Sequence, residues 1–572
     1  MRQTLRPLLP PLVCFLACLG ALVALSWPMP AHLGTWHLLT AFGDSHAWVF
    51  EWLRGELAAG RLPVETADAG YPQIRAVRLI GWAPAALFMA LRLGMGALAA
   101  ANLVQLLSLP VSALAAGALI RRWTEADPWV SGALGVAWAL SPTLLSTYGL
   151  GEISNTQAWV LPGCLWLMDR AEADPRWLPA LALGAFFGVF SSPYFGLALP
   201  LLAGGLAVAR ALRPAPGRSG RARFIHPGLM LAAVALGLAP SGLYYMAHDA
   251  GGGGALFRPA QQTALGPTLP FPPPVARPDA LVWAREPAPR SPFEPMHASY
   301  LGLPLLLAAG LSGRRPGKGR GAGVALFVGG ALLSLGPWLA WGTDYVRAAG
   351  LVFPLPARLL ELLGYPTRQG GLYFRYAVIA ELWLVLLVAA GLAGRRRAGL
   401  IAGALTLLHV ADGVRATGPL WPRPSEAVPE IEVLREMAGS DGAVLELPLQ
   451  GPLDAAHGQG ALLRALFHRR PTSALPRDVR PKESVLPGLI ERGLASDPAE
   501  VLAEAGFRYV LLPDVLRGQI DPHGAALIEA LGPPQHDGAW RIWDLGPTRL
   551  APQRASMSYQ ARPARAREPE QR

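Results

Sequence analysis

Long apolar runs limit what this chain can fold into more than any other feature: Leu8–Trp27, Met95–Ile120, Trp129–Thr147, Leu178–Phe190, Leu197–Leu212, Gly228–Ala247, Tyr300–Leu311, Gly321–Trp341, Leu372–Ala393 and Leu400–Val410. About 20 apolar residues cross the hydrocarbon core of a bilayer as a helix, and no water is present there to satisfy an open backbone. Several runs are long enough alone, and the shorter ones need tilt or aromatic flanks to cross. Charged residues make up 16% of the 572, against about 25% in soluble domains, and the mean hydropathy is +0.31. Leu8–Trp27 has no clear small-x-small cleavage site and many runs follow it, so it is expected to remain as a first helix rather than leave as a signal peptide. The expected fold is a polytopic α-helical membrane protein of about 11 spans, with a small C-terminal extracytoplasmic α/β domain.

The net charge of +11 is concentrated in short connectors: Arg213–Arg223, Gly313–Arg320 and Gly394–Gly399, with Met1–Arg6 and Arg121–Pro128 on the same side. That is the positive-inside pattern of cytoplasmic loops, and it accounts for the charge without a nucleic-acid partner. Cys14, Cys18 and Cys164 all lie in apolar runs, with no CxxC and no paired set in a polar loop, so neither a zinc site nor a disulfide framework is implied. The span count closes if Arg78–Arg92, short and bounded by arginines, lies in the interface rather than crossing. The outward connections are then Pro28–Val77, Tyr148–Gln157, Ser191–Gly196, His248–Ala298 and Gly342–Gly371, and the last span delivers the C-terminal region to the same outer side.

On this reading residues 1–412 form the membrane domain, with 28–77 as its first outer loop. A linker follows over 413–424, then an outer α/β domain over 425–550 and a polar, Arg-rich tail over 551–572 expected to be disordered. In the outer domain, helical spacing over Glu430–Gly439 precedes a strand pattern over Gly442–Gly451. Pro498–Asp514 repeats the helix–strand order, and Gly538–Gly546 alternates as a half-exposed strand.

The first outer loop contains "AFGDSHAWVFEWLRGELAAGRLP" (Ala41–Pro63), unusually rich in charge and aromatics for a connector. If Gly43–Leu57 is helical, Asp44, Trp48, Glu51, Trp52 and Gly55 share a side. Aromatic surroundings raise a carboxyl's pKa by desolvation and bring it toward a general base's range, and tryptophan faces stack on sugar rings. The alternative is interfacial tryptophans with Asp44 as a helix N-cap. Glu152 and Asn155 in "GEISNTQ" are suited to bind sugar or acceptor hydroxyls, or to cap a helix. Tyr194 in "SSPYFG" is an interfacial aromatic first and a substrate contact second. His32, His37 and His46 have no standard metal spacing, and His457 and His468 have no nucleophile elbow nearby. No P-loop or dinucleotide fingerprint is present.

A first span followed by an outer loop that opens on Gly-Asp and runs through aromatics to "GRLP" resembles the membrane-integral GT-C glycosyltransferases. So do "NLVQLLSL" (Asn102–Leu109), "SSPYFG", "RQGGLYFRYAV" (Arg368–Val378) and "VLELPL" (Val444–Leu449). The resemblance is one of layout over most of the chain. It implies a polyprenyl-phosphate-linked sugar as donor, an acceptor in the cell envelope, and Asp44 as catalytic base. The outer face of a bacterial inner membrane would be the site of action. A departing phosphate needs cations or N–H donors, and Arg368 and Arg375 are the best placed; an arginine just inside the membrane boundary wants a partner, unless it snorkels to headgroups. Trp48, Glu51, Glu152, Asn155 and Tyr194 are the remaining candidates for substrate contact. The loop lacks the Asp-x-Asp or Glu-x-Asp pair of metal-using members, so no metal is assigned and a direct, inverting displacement is preferred.

Two other classes stay open. Glu381 in "VIAELWL" stands within a span, as a transporter or lipid flippase would require. A non-catalytic membrane scaffold would tolerate change at Asp44 but not loss of Pro424–Leu550.

Overall fold

The structure, a computed structural model, describes residues 9–38, 43–61, 63, 65–66, 68–69, 71, 75–76, 81–212, 222–248, 281, 300–312, 320–341, 344–349, 351–362, 373–416, 425–448, 455–474 and 486–548. They fall into two compact units, Met1–Leu62 with Arg78–Val428, and Pro63–Val77 with Pro429–Arg572.

The first unit is helical. In chain order its helices are α1 (Leu9–Leu25), α2 (Gly43–Ala58), α3 (Trp82–Leu91), α4 (Ala97–Thr124), α5 (Pro128–Ala139), α6 (Pro142–Gly149), α7 (Val160–Ala173) and α8 (Leu178–Ser191). There follow α9 (Pro193–Leu212), α10 (Ala222–His248), α11 (Leu303–Ser312), α12 (Arg320–Ser334), α13 (Pro356–Leu362), α14 (Ala377–Leu392) and α15 (Ala398–Ala416). Among the described residues, α4 and α15 are long and apolar enough to cross a membrane alone; α5 and α6, bent by 49° at their junction, make a third crossing if they are one broken span. Shorter apolar stretches among the described residues are Leu9–Leu25, Trp82–Leu91, Tyr194–Val208, Ile225–Pro240, Leu303–Ser312 and Ala377–Leu392, against an expectation of about eleven spans over the whole chain. Helix α1 has 17 residues and α14 has 16, about 25 Å each against a hydrocarbon core of about 30 Å. Helix α3, with 10 residues, reaches about 15 Å and is too short to cross by itself.

Helix α4 organises the unit. Asn102, Gln105, Ser108 and Ser112 recur at helical spacing on one buried stripe. Each is satisfied: Asn102 Nδ2 donates to the carbonyls of Leu33 (2.8 Å) and Trp36 (2.9 Å), Gln105 Nε2 to that of Tyr148 (2.9 Å), and the two serines to carbonyls one turn back. The polar stripe thus fastens the first outer loop and the end of α6 to one helix. On its other side α4 meets α5 through small residues. A Cβ built on Gly135 would stand 2.4 Å from the Ala113 carbonyl oxygen, the close backbone approach that drives helix association in lipid. Beyond α15 the chain returns to the first loop, where Ser425–Ala427 pairs antiparallel with Trp36–Leu38.

The second unit holds a four-stranded mixed sheet. Its strands are β1 (Ala443–Glu446), β2 (Phe507–Pro513), β3 (His536–Asp537) and β4 (Trp540–Asp544), in the order β3-β4-β2-β1 with β1 and β2 parallel. Helices α16 (Ile431–Glu436), α17 (Ala455–His468), α18 (Leu486–Leu494), α19 (Pro498–Glu504) and α20 (Pro522–Leu531) accompany it. Leu445, Ile490, Leu502, Phe507, Val510, Leu527 and Trp543 form its core.

Pro63–Val77, assigned to the first loop from sequence, belongs to this unit. Tyr71 explains why: its hydroxyl donates to the Ala505 carbonyl (3.0 Å), its ring meets Phe507 edge-on at 5.1 Å, and its backbone N–H donates to Thr472 (3.0 Å). Gly506, at φ +91, leaves the space, since a Cβ there would lie 2.1 Å from the Tyr71 hydroxyl. Gly506→Ala is therefore expected to lower the stability of this unit by about 2 kcal/mol or more, from strain and displaced Tyr71 together. Proteolytic susceptibility of the full chain in increasing urea measures it; an unchanged midpoint would show that the ring moves aside at no cost.

Beneath the sheet end, Glu446 is buried at 4% exposure with Arg464 (2.7 Å) and, at 3.8 Å, His468, itself 0% exposed. His468 Nδ1 accepts the Arg470 N–H, so the neutral ring carries its proton on Nε2, toward Glu446. Burial holds the imidazole below its ordinary 6.5. For Glu446, burial acts upward but Arg464 and His468 outweigh it and hold the carboxyl below its ordinary 4.5. Both shifts are downward, so the stability they contribute is complete above the unfolded values. It is lost as pH falls, first below about 6.5 through His468 and then below about 4.5 through Glu446. Hydrogen exchange of peptides over 443–446 and 455–468, corrected for intrinsic rate, is expected to quicken between about pH 7.5 and about pH 5.5. His468→Gln should flatten that change, and a wild-type profile that is already flat would rule out the linkage.

Candidate functional site

The polar segment after α6, "GEISNTQ", is drawn inside the first unit. Glu152, Ser154, Thr156 and Gln157 are all at or below 5% exposure, a burial that requires partners for every polar group. Local bonds supply several. Thr156 Oγ1 donates to the Ile153 carbonyl at 2.9 Å and Gln157 Oε1 accepts the Trp159 indole N–H at 3.0 Å. Glu152 takes a partner from far along the chain. Arg375, in the 3-10 turn Tyr373–Tyr376 that opens α14, donates Nη2 to both Glu152 oxygens across 223 residues of sequence. Asn155 Nδ2 donates to Glu152 Oε2 at 2.9 Å, and Ser192 Oγ donates to Asn155 Oδ1 at 2.6 Å. The Arg375 guanidinium lies over the Tyr194 ring, 4.2 Å from its centroid, a cation–π contact strengthened by desolvation. Gly81, at φ +101, stands against this segment; a Cβ there would come within 2.4 Å of Ser154 Oγ.

Four residues chosen from three separate loops, Glu152, Asn155, Tyr194 and Arg375, therefore meet in one network. Ser192 completes it and was not among the chosen residues, although it lies inside the quoted "SSPYFG". Arg375 is 7% exposed and Glu152 5%. A buried arginine neutralised by one carboxylate and backed by an aromatic face is a fixed, charge-assisted donor site for anionic oxygen.

Trp48 and Glu51, the remaining candidates whose side chains are described, make their contacts elsewhere. Asp44 lies in the first turn of α2, and its side chain is outside the described residues, as is the whole of Arg368. Trp48 and Trp52 stack nearly parallel, 6.2 Å apart at 7°, and are 6% and 7% exposed, so they pack inward. Glu51 is held by Arg92 (Nε to Oε2, 2.8 Å) and by Arg54 (Nη2 to Oε1, 2.8 Å). Burial acts to raise its pKa, but the two arginines prevail and keep the carboxyl below the ordinary range. Arg92 also donates to the Met95 carbonyl, so Glu51 fastens α2 to the end of α3. Arg92 was unrecognised from sequence, where it served only to bound a short helix.

Glu381, the acid within a span, is 1% exposed on α14. Its carboxylate accepts Ser141 Oγ (2.7 Å) and Thr143 Oγ1 (2.8 Å), both at the break between α5 and α6. His32 stacks on Trp36 at 5.6 Å, His37 faces Glu426 at 3.7 Å, and His46 meets Phe50 edge-on at 6.1 Å. Among the described residues no three His, Cys, Asp or Glu side chains gather as a metal-binding group.

No family model matches the chain, and no curated protein matches it. Solved structures do. The chain is similar to the arabinofuranosyltransferase AftD from Mycobacteria, at TM-score 0.52 and 19% identity over 93% of this chain and 41% of that one. It thus spans about two fifths of AftD's length. It also matches the oligosaccharyltransferase AglB from Archaeoglobus fulgidus, solved with an inhibitory peptide and a dolichol-phosphate, at TM-score 0.47 and 11% identity over 88% of this chain and 69% of that one. ArnT from Cupriavidus metallidurans bound to undecaprenyl phosphate follows at TM-score 0.39 and 13% identity, over 89% of this chain and 95% of that one. The fold assignment rests on the first of these.

Proposed function

We propose, from the premise that this chain carries the GT-C glycosyltransferase fold, that it transfers a sugar from a polyprenyl-phosphate donor to an acceptor of the cell envelope, on the outer face of a bacterial inner membrane. The observation that carries the proposal is the buried Arg375–Glu152–Asn155–Tyr194 network, assembled from segments that the positive-inside reading of the sequence assigns to the outer side.

In the proposed reaction the acceptor hydroxyl attacks the anomeric carbon, giving its proton to the Asp44 carboxylate. The new O–C bond forms as the bond from that carbon to the phosphate oxygen breaks, and polyprenyl phosphate leaves with the electron pair. One displacement inverts the anomeric centre. Arg375 meets the developing charge on the phosphate, a stabilisation that counts for more in a water-poor site. Since Glu152 already balances one positive charge, a second cation is needed for the leaving phosphate, and Arg368 is assigned that part. Tyr194 backs the guanidinium, and Asn155 holds Glu152 in place. Trp48 and Glu51 shape the loop that presents Asp44. No metal is assigned.

The test uses the purified full chain in proteoliposomes offered a panel of labelled polyprenyl-phosphate sugars, with release of polyprenyl phosphate as the readout. Time-dependent consumption of at least one donor supports the reading. Movement of labelled lipid between leaflets with no donor consumed would replace it with lipid transport.

A further inference from the structure

Helix α6 is held at its start by α14, and the segment that follows it meets the turn that opens α14. At its N-terminus the break after α5 leaves backbone N–H groups with no helical partner. Ser141 occupies the cap position (φ −65, ψ 156) yet makes no cap hydrogen bond to its own helix, and Pro142 follows it. The partner of both hydroxyl side chains at this helix start comes instead from α14. Glu381 accepts the hydroxyls of Ser141 and Thr143, so a carboxylate sits where the helix dipole is positive. At the other end Gln105 Nε2 binds the Tyr148 carbonyl, the Tyr148 hydroxyl meets Ser26 Oγ at 2.9 Å, and the Glu152 N–H returns to the Thr147 carbonyl at 3.3 Å. Glu152 is thereby carried on the end of α6. Eight helical residues span about 12 Å, and the six positions from Arg375 to Glu381 span about 9 to 12 Å. The two runs therefore match in length, and the run from Arg375 to Glu381 meets α6 at Glu381 and the chain just beyond α6 at Arg375. Trp138, on α5 just before the break, adds a third tie by donating its indole N–H to the Val378 carbonyl at 3.1 Å.

We infer that Glu381 is a positioning residue: by holding the Ser141 and Thr143 hydroxyls at the start of the second half of the broken span from α14, it sets the register that brings Glu152 onto Arg375. Its consequence for catalysis rests on the reading that Arg375 faces the donor phosphate. Its consequence for geometry does not. Without the carboxylate, α6 loses its N-terminal anchor, and a displacement of about 1 Å at a positioned group costs about 100-fold in rate.

The experiment compares wild type, Glu381→Gln and Glu381→Ala in proteoliposomes by two independent readouts. Hydrogen exchange over 149–157 reports the segment carrying Glu152. Donor KM and kcat report the site. Glu381→Ala is expected to speed exchange there about tenfold or more and to raise donor KM by about tenfold or more, while Glu381→Gln, which keeps one acceptor oxygen for a hydroxyl, recovers most of both. Unchanged exchange over 149–157 in Glu381→Ala would overturn the clamp itself. Faster exchange with unaltered KM and kcat would reduce Glu381 to a structural cap and overturn the positioning role. If wild type turns over no donor, the functional reading fails on its own and the exchange result still judges the clamp. Should Glu381→Ala fail to fold, Ser141→Ala and Thr143→Val each remove one hydroxyl from the same carboxylate. Smaller shifts in the same direction are then expected, and no shift from either would count against the clamp.

Discussion

Asp44→Asn in proteoliposomes is expected to slow sugar transfer by about 10²–10⁴-fold, the range for loss of a general base, while donor affinity stays within a few-fold. The substitution is chosen because asparagine serves as well as aspartate at a helix N-terminus. Losing the charge there removes only about 0.3–1 kcal/mol of dipole interaction, too little to unfold α2, in which Trp48, Val49, Phe50, Trp52 and Leu53 are all buried. A cap and a base therefore make opposite forecasts from one variant. Single-turnover release of polyprenyl phosphate decides between them, with donor binding measured in parallel. Transfer at the wild-type rate would leave Asp44 as a cap, and the proposed chemistry would lose its base.

Arg375→Ala should have the second largest effect, and it has two sources that must be separated. Removing one partner of a buried ion pair leaves Glu152 charged and uncompensated, at a cost of about 3–5 kcal/mol. Loss of the guanidinium also removes the proposed phosphate contact. The double variant Arg375→Met with Glu152→Leu replaces the pair by apolar groups of similar bulk, so it should regain most of the stability. It should not regain donor binding, because nothing in it attracts an anion. Thermal unfolding and polyprenyl phosphate binding, measured on both variants, separate the two effects. A double variant that recovers stability and binding together would show the Glu152–Arg375 pair to be scaffolding. Arg375→Lys is the finer probe. It keeps the charge but loses the planar contact with Tyr194 and the fork geometry, so its donor affinity should fall between the two.

Much of the architecture was legible because it depends on local chemistry. Apolar runs specify helices whatever their neighbours. The break between α5 and α6 had its own signal, a Ser-Pro inside the run Trp129–Thr147, since the residue before a proline is pushed out of the helical region. The helix–strand succession over Pro498–Pro513 was readable in the same way, from periodicity and from Gly506 as a stop signal. Span number was less legible, because hydropathy marks an apolar stretch without setting where its helix begins or ends.

Partnership was decided elsewhere. Glu51, Glu152 and Glu381 are three acids in apolar surroundings, and the sequence treats them alike. The fold gives the first two arginines, the second one arginine and an amide, and the third two hydroxyls. Tyr71 likewise reads as one more loop aromatic until Gly506, 435 residues further on, makes room for it. A chain of this composition settles by itself the solvent it needs and the kind of element each run forms, for these follow from periodicity and charge over a few residues. Which cation reaches which carboxylate depends on residues hundreds of positions apart arriving within about 3 Å of each other. Electrostatic interaction falls off with distance and strengthens with burial, so only the tertiary structure could decide it.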